Sequence, residues 1–133
     1  TMRTVTLAAT QMACGPDRAA NLDAAERLVR QAAAGGGQII LVQELFETPY
    51  FCQDQLPEHF GLARPVAGNE GIARFQSLAR ELGVVLPFSF FERDNQAHFN
   101  SVAMIDAGGE MLGIYRKTHI PDGPGYQEKY YFN

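Results

Sequence analysis

Three side chains in this sequence have the types that acid–base chemistry needs. Lys117 follows the apolar segment Met111–Tyr115, and Glu128 comes eleven residues later across the Pro/Gly-rich stretch Pro121-Asp122-Gly123-Pro124-Gly125. Glu44 stands just after the apolar run Ile39-Ile40-Leu41-Val42. Two acids and an amine at the ends of core strands make a candidate acid–base site. The apolar neighbours of Glu44, namely Leu41, Val42, Leu45 and Phe46, are expected to disfavour its charge and raise its pKa, which suits a general base. A fixed ammonium at Lys117 can stabilise an oxyanion in a site that excludes water. Spacing alone leaves plainer readings open. Glu44 also fits a solvated loop acid, Lys117 a surface lysine beside Arg116, and Glu128 part of a charged run with Lys129.

A cysteine nucleophile is a natural partner for such a base. The sequence holds two cysteines, Cys14 and Cys52. Cys52 lies in the long loop after Glu44 with no oxyanion-hole signature beside it, and Cys14 has less support still. Free cysteines are more often small buried hydrophobes than nucleophiles. Two separate thiols make no disulfide framework and fit a reducing cytoplasm. His59, His98 and His119 are far apart and neither cysteine belongs to a Cys-x-x-Cys pair, so no metal site is expected. Gly35-Gly36-Gly37 follows a helical segment and precedes a strand, the reverse of the dinucleotide-binding order, and reads as a helix stop.

The elements that must position these groups follow from periodicity. Thr4-Val5-Thr6-Leu7-Ala8-Ala9-Thr10 alternates threonine with apolar residues, the period of a strand with a core face. Asp17 is a candidate N-cap for a helix whose stripe is Leu22, Ala25, Leu28, Val29 and Ala32. Ile39 to Val42 is apolar without alternation and reads as a strand covered on both faces. Residues 46–68 have no clean period and read as a long functional loop with short helical turns. Glu70 to Leu82 reads as a second helix with Ile72, Phe75, Leu78, Ala79 and Leu82 on its inner face, stopped by Gly83. Strands follow at Val84–Phe91, His98–Ile105 and Met111–Tyr115, with a bulge or an unpaired edge position expected at Pro87. The order β-α-β-α-β-β-β predicts an α/β fold with helices packed on one face of the sheet. Tyr130-Tyr131-Phe132 is expected to lack an element to bury it, which marks the sequence as the N-terminal half of a larger domain.

At 133 residues the chain has single-domain length, with 46% apolar and 20% charged residues. A net charge of −4 and the lack of an Arg/Lys cluster argue against nucleic-acid binding. No run approaches the roughly 20 apolar residues that span a bilayer. No secretory signal opens the sequence, so a cytoplasmic protein is expected.

Gln43-Glu44-Leu45-Phe46, Tyr115-Arg116-Lys117-Thr118-His119-Ile120 and Gln127-Glu128-Lys129-Tyr130-Tyr131-Phe132 together resemble the nitrilase superfamily of carbon–nitrogen hydrolases. The resemblance covers nearly the whole chain, from the Val5-to-Gln11 strand and Asn21-Leu22 onward. It implies the N-terminal half of an α-β-β-α sandwich, with 1–133 a partial domain that stops before the nucleophilic cysteine. It assigns Glu44 as general base, Lys117 as the lysine that stabilises the tetrahedral intermediate, and Glu128 as a second, supporting glutamate. It implies no metal or organic cofactor, and a homo-oligomer assembled by pairing sandwiches across their helices. Phe46-Glu47-Thr48-Pro49-Tyr50-Phe51-Cys52-Gln53 and His119-Ile120-Pro121-Asp122-Gly123-Pro124-Gly125-Tyr126 look like the branch that hydrolyses N-carbamoylputrescine to putrescine, carbon dioxide and ammonia. The implied partner is a small carbamoyl amine. Glu47, Asp54, Glu58 and Asp122 would form an acidic rim for its distal ammonium. Two alternatives stand beside this reading. One is an amidase for a carbamoyl amino acid or a dicarboxylate monoamide, whose pocket should present arginine. The other is a non-catalytic assembly module of the same half-fold.

Overall fold

Asp17 and Asn69 start the two helices. In the computed structural model, which describes residues 2–133 and so all of the expected domain except Thr1, the Asp17 carboxylate accepts the Ala20 N–H at 3.3 Å and opens α1 (Arg18–Ala34). Asn69 accepts the Ile72 N–H at 3.1 Å and opens α2 (Glu70–Leu82). Each cap satisfies an N–H that no helical carbonyl can reach. α1 stops at the expected glycines, with Gly36 at φ 97°. α2 stops at Gly83 in the left-handed conformation, φ 67°.

β1 (Leu7–Ala9) and β2 (Ile39–Leu41) pair in parallel across the α1 crossover, with Leu7 opposite Ile39. A parallel bridge between Ile39 and Val85 joins this pair to β3 (Leu86–Asp94). β3, β4 (Ala97–Ile105) and β5 (Met111–Arg116) then form two antiparallel hairpins. The order β-α-β-α-β-β-β is the one expected. Both helices cover the same face of the sheet. Leu22, Ala25 and Val29 from α1 and Ile72, Phe75 and Leu78 from α2 share one core with Ile40, Leu86, Phe88, Phe90, Ala103 and Ile105. Phe88 meets Phe46 and Phe75 edge-on at centroid distances of 5.2 and 4.8 Å.

The structure departs from the sequence expectations in three places. β1 covers Leu7–Ala9 rather than Thr4–Thr10, because its partner β2 has three residues to pair, and Thr6 N–H turns to the Gln38 side-chain oxygen at 2.8 Å. β2 is not covered on both faces: Ile40 is fully buried, whereas Leu41 is 52% exposed and Leu7, on the same face of the paired β1, 71%. Both helices lie on the Ile40 side, and among the described residues nothing buries Leu41 and Leu7 on the other. Pro87 takes the second of its two expected forms, an unpaired edge position rather than a bulge. The β3–β4 register runs unbroken through Pro87 and Met104, and the irregularity falls at Met104/Ile105 in the β4–β5 pair. Val85 donates to Gln38, so alternation points the Pro87 nitrogen to the same side, past the last bridge to β2, where no donor is needed. Finally, Tyr131 and Phe132 are buried. Residues 46–68 fold into short turns at Phe51–Gln53 and Pro57–Leu62, and these build a second core from Leu45, Phe51, Cys52, Ala63 and Phe91 that receives both aromatics. Phe51 stacks on Phe91 at 4.8 Å and Phe132 meets Phe91 edge-on at 5.2 Å.

Candidate active site

Glu44 and Lys117 are 73 residues apart in sequence and meet at one end of the sheet. Parallel pairing brings the carboxyl ends of β2 and β3 to the same edge, and the two hairpins bring the start of β4 and the end of β5 there. Lys117 extends the β5 ladder by one bond, donating its N–H to Asn100 O at 2.8 Å. Its Nζ then donates to Glu44 Oε1 at 2.9 Å and to Glu128 Oε1 at 3.2 Å. Asn100 Nδ2 donates to the same Glu44 oxygen at 2.5 Å. Tyr50 Oη donates to Glu128 Oε2 at 2.8 Å. The Glu128 side chain is 7% exposed and that of Glu44 52%. One acid is therefore locked into the wall, and the other opens onto a cleft of about 340 Å³. Leu41, Val102 and Tyr115 supply the apolar side of that cleft, with Glu44, Asn100 and Lys117 at its polar end.

Burial of Lys117 works against its charge, but Glu44 and then Glu128 outweigh burial and hold the ammonium above the ordinary lysine range. Lys117 is thus a fixed cation, suited to an oxyanion and unsuited to act as a base. Glu44 does not sit in the apolar setting expected from its neighbours. Leu45 and Phe46 turn into the two cores, and the carboxylate keeps the polar company of Lys117 and Asn100. Cys52 lies behind the site and is fully buried. Burial, then the charges of Glu128 and Glu44, push its thiol up to about 12, so it stays protonated at neutral pH and is a poor nucleophile. Burial also raises the Cys14 thiol.

The four acids expected at the rim are placed apart from this centre. Glu47 is buried, 3.5 Å from Arg18, and lines a separate cavity of about 280 Å³ that also includes Arg64 and Gly71. Burial raises its pKa against the pull of Arg18 and Arg64. Asp54 and Glu58 are exposed on the two short turns. Asp122 is exposed and accepts the Lys129 N–H at 3.4 Å. None of the four bonds to Glu44, Lys117 or Glu128 among the described residues. Arg116 and Lys117 part company as strand neighbours must. Arg116 forms a two-pronged pair with the buried Glu92, at 2.8 and 2.7 Å, and Ser101 Oγ donates to the same carboxylate at 2.7 Å.

Sequence reasoning missed Asn100 and Tyr50. Asparagine is depleted in strands, so Asn100 inside an apolar β4 carried a weak signal. Tyr50 carried none. Among the described residues no group of three or more His, Cys, Asp or Glu is placed to hold a metal ion, and no helix is long and apolar enough to cross a membrane.

Comparison with known proteins places this geometry. The carbon-nitrogen hydrolase family matches residues 6–133. N-carbamoylputrescine amidase of Solanum lycopersicum is 63% identical over 98% of this chain, and that of Arabidopsis thaliana 60% over the same share. Citrullinase of Francisella tularensis is 46% identical over 99%. The chain spans less than half the length of these curated relatives: 44% of the two amidases and 46% of the citrullinase. The crystal structure of a carbon-nitrogen hydrolase from Helicobacter pylori G27 superposes with a TM-score of 0.87 at 35% identity, covering 96% of this chain and 44% of that one. An amidase from Nesterenkonia sp. shares the fold, with a TM-score of 0.78 at 22% identity. The described α/β fold is thus, as the sequence implied, about half of a nitrilase-superfamily fold. The chain belongs to the carbon–nitrogen hydrolase family.

Proposed function

We propose that this chain carries the Glu44–Lys117–Glu128 portion of an enzyme that hydrolyses N-carbamoylputrescine. Overall, one water and one carbamoyl amine give the free diamine, carbon dioxide and ammonia. The nucleophile is a cysteine supplied from outside these 133 residues. Glu44 takes its thiol proton and gives it to the nitrogen that leaves as the C–N bond breaks; it later takes a proton from the attacking water and returns it to the sulfur as the C–S bond breaks. Lys117 donates to the oxyanion of each tetrahedral intermediate. Glu128, held by Tyr50, anchors the lysine. One observation carries the reading: a single ammonium bridges an open carboxylate and a buried one at the mouth of an apolar cleft. The identity of 60–63% to N-carbamoylputrescine amidases supports the substrate. In this reading the exposed acids Asp122, Asp54 and Glu58 remain the candidates for the distal ammonium, with Asp122 first because it lies five residues from Lys117. The 133 residues alone are inactive, the enzyme is a cytoplasmic homo-oligomer, and putrescine synthesis is its role.

Ammonia release from N-carbamoylputrescine by the full-length protein tests this directly, with N-carbamoylbutylamine as the ammonium-free control. Loss of a charge-assisted hydrogen bond should lower kcat/KM for the control by roughly ten- to a hundred-fold. Equal turnover of the two compounds would sink the acidic-rim reading. The citrullinase relative favours a second substrate class, a carbamoyl amino acid. Citrulline in the same assay separates the two, since its carboxylate calls for a cationic partner rather than an acidic rim.

A further inference from the structure

The residue after the candidate base has an unusual backbone. Leu45 takes φ 53°, the left-handed region that side chains other than glycine rarely adopt. Its side chain is nonetheless buried, packed in the second core with Phe51 and Phe91. A leucine so placed needs an external tie, and one is present. The Leu45 N–H donates to Ser89 Oγ at 2.8 Å in a buried setting. That N–H belongs to the peptide group joining Glu44 to Leu45. Whatever fixes it fixes the plane from which the Glu44 side chain departs. Ser89 comes from β3, opposite Val102 on β4, and lines the same cleft as Glu44 and Lys117. The far side of the turn has its own ties: Asn21 Nδ2 donates to Glu47 O at 2.9 Å, and Arg18 meets the Glu47 carboxylate. On the Glu44 side, Ser89 is the tie that grips the backbone.

We propose that Ser89 is a positioning residue for Glu44: its hydroxyl oxygen holds the Leu45 N–H, keeps the left-handed turn, and so aims the Glu44 carboxylate at Lys117. Among the described residues its hydroxyl bonds to the Leu45 N–H and not to the Glu44 or Lys117 side chain. Without it, Leu45 relaxes toward negative φ and the carboxylate swings off the line to Nζ. The inference rests on the reading of Glu44 as the general base.

The test is a double-mutant cycle in the full-length enzyme with N-carbamoylputrescine. Ser89→Ala should lower kcat by roughly ten- to a hundred-fold, the scale of an ångström's misplacement of a catalytic group, with KM within about two-fold. Ser89→Thr keeps the acceptor and should restore part of the rate. In a Glu44→Gln background, Ser89→Ala should cost nothing further, because there is no base left to aim. A purely structural serine would multiply its loss onto that of Glu44→Gln, and this result would overturn the proposal. So would a Ser89→Ala enzyme at the wild-type rate. If Ser89→Ala does not fold, Ser89→Cys runs the same cycle with a side chain that fills the space but accepts poorly. An active Glu44→Gln single variant would refute the base reading instead, and so the two failures are told apart.

Discussion

At the scale of the residue, the arrangement of Lys117 between two carboxylates sets what each substitution does. Glu44→Gln keeps the size and the bond from Lys117 but cannot take a proton. It should cost about 10²–10⁴-fold in kcat with the fold intact. Lys117→Ala removes the cation and leaves Glu44 and Glu128 facing each other, so a loss of at least about 10²–10³-fold is expected. Cys52→Ala should leave the rate within a few-fold, because a thiol held near 12 and fully buried takes no part in the chemistry. Steady-state kinetics on the three full-length variants, with circular dichroism to verify folding, decides each assignment. A Cys52→Ala enzyme with no activity and a native spectrum would put Cys52 back among the nucleophile candidates.

At the scale of the element, two contacts tie the helices and strands to the site. α2 approaches β3 at Gly71, where a methyl group would sit 2.6 Å from Glu47 Oε1 and 2.7 Å from Phe88 Cζ. Neither neighbour can retreat freely, as Phe88 is wedged between Phe46 and Phe75. Gly71→Ala should therefore destabilise by about 1–3 kcal/mol, the usual cost of overpacking, read as a lower midpoint in urea unfolding. At the other end of β3, Glu92 is buried. Burial works against its charge, but Arg116 and Ser101 outweigh it and hold the carboxyl below the usual range. Its contribution to stability is complete above about pH 4.3, the ordinary glutamate value. It is lost as pH falls through the lower folded value. Unfolding midpoints measured from pH 7 to pH 3 should drop more steeply for wild type than for Glu92→Gln. Parallel curves would show that the pair contributes nothing net.

At the scale of the molecule, α1 and α2 clothe one face of the sheet, whereas on the other the turns of residues 46–68 with Tyr131 and Phe132 cover only the part around Phe91 and leave the rest open. Leu7, Leu41, Met104 and Tyr115 all stand exposed on or beside that face. Among the described residues the outer edge of β1 is also unpaired. Contiguous apolar surface and an open edge both invite association. The 133-residue polypeptide, expressed by itself, should bind a hydrophobic dye such as ANS and sediment as larger species as concentration rises. A monodisperse monomer without dye binding would mean that the face is less sticky than its residues suggest.

Much of this was legible in the sequence because it is local. Asp17 and the glycines at 35–37 and 83 bound their helices through hydrogen bonds to residues a few positions away. Periods of two and 3.6 separate strand from helix within ten residues. The types of Glu44, Lys117 and Glu128 and their places at element ends were enough to nominate a site. What needed the tertiary structure were directions and registers. Threonine–apolar alternation over Thr4–Thr10 reveals two faces but not which one the helices will cover. Glu47 stands three residues from Glu44, yet it turns to Arg18, because a left-handed leucine between them reverses the chain. Asn100 joins Glu44 to Lys117 only once β4 and β5 are in register. Backbone sign and strand register are set by contacts between residues tens of positions apart. No window of sequence contains both partners, and so the meeting of Glu44, Lys117 and Asn100 was decided only by the folded chain.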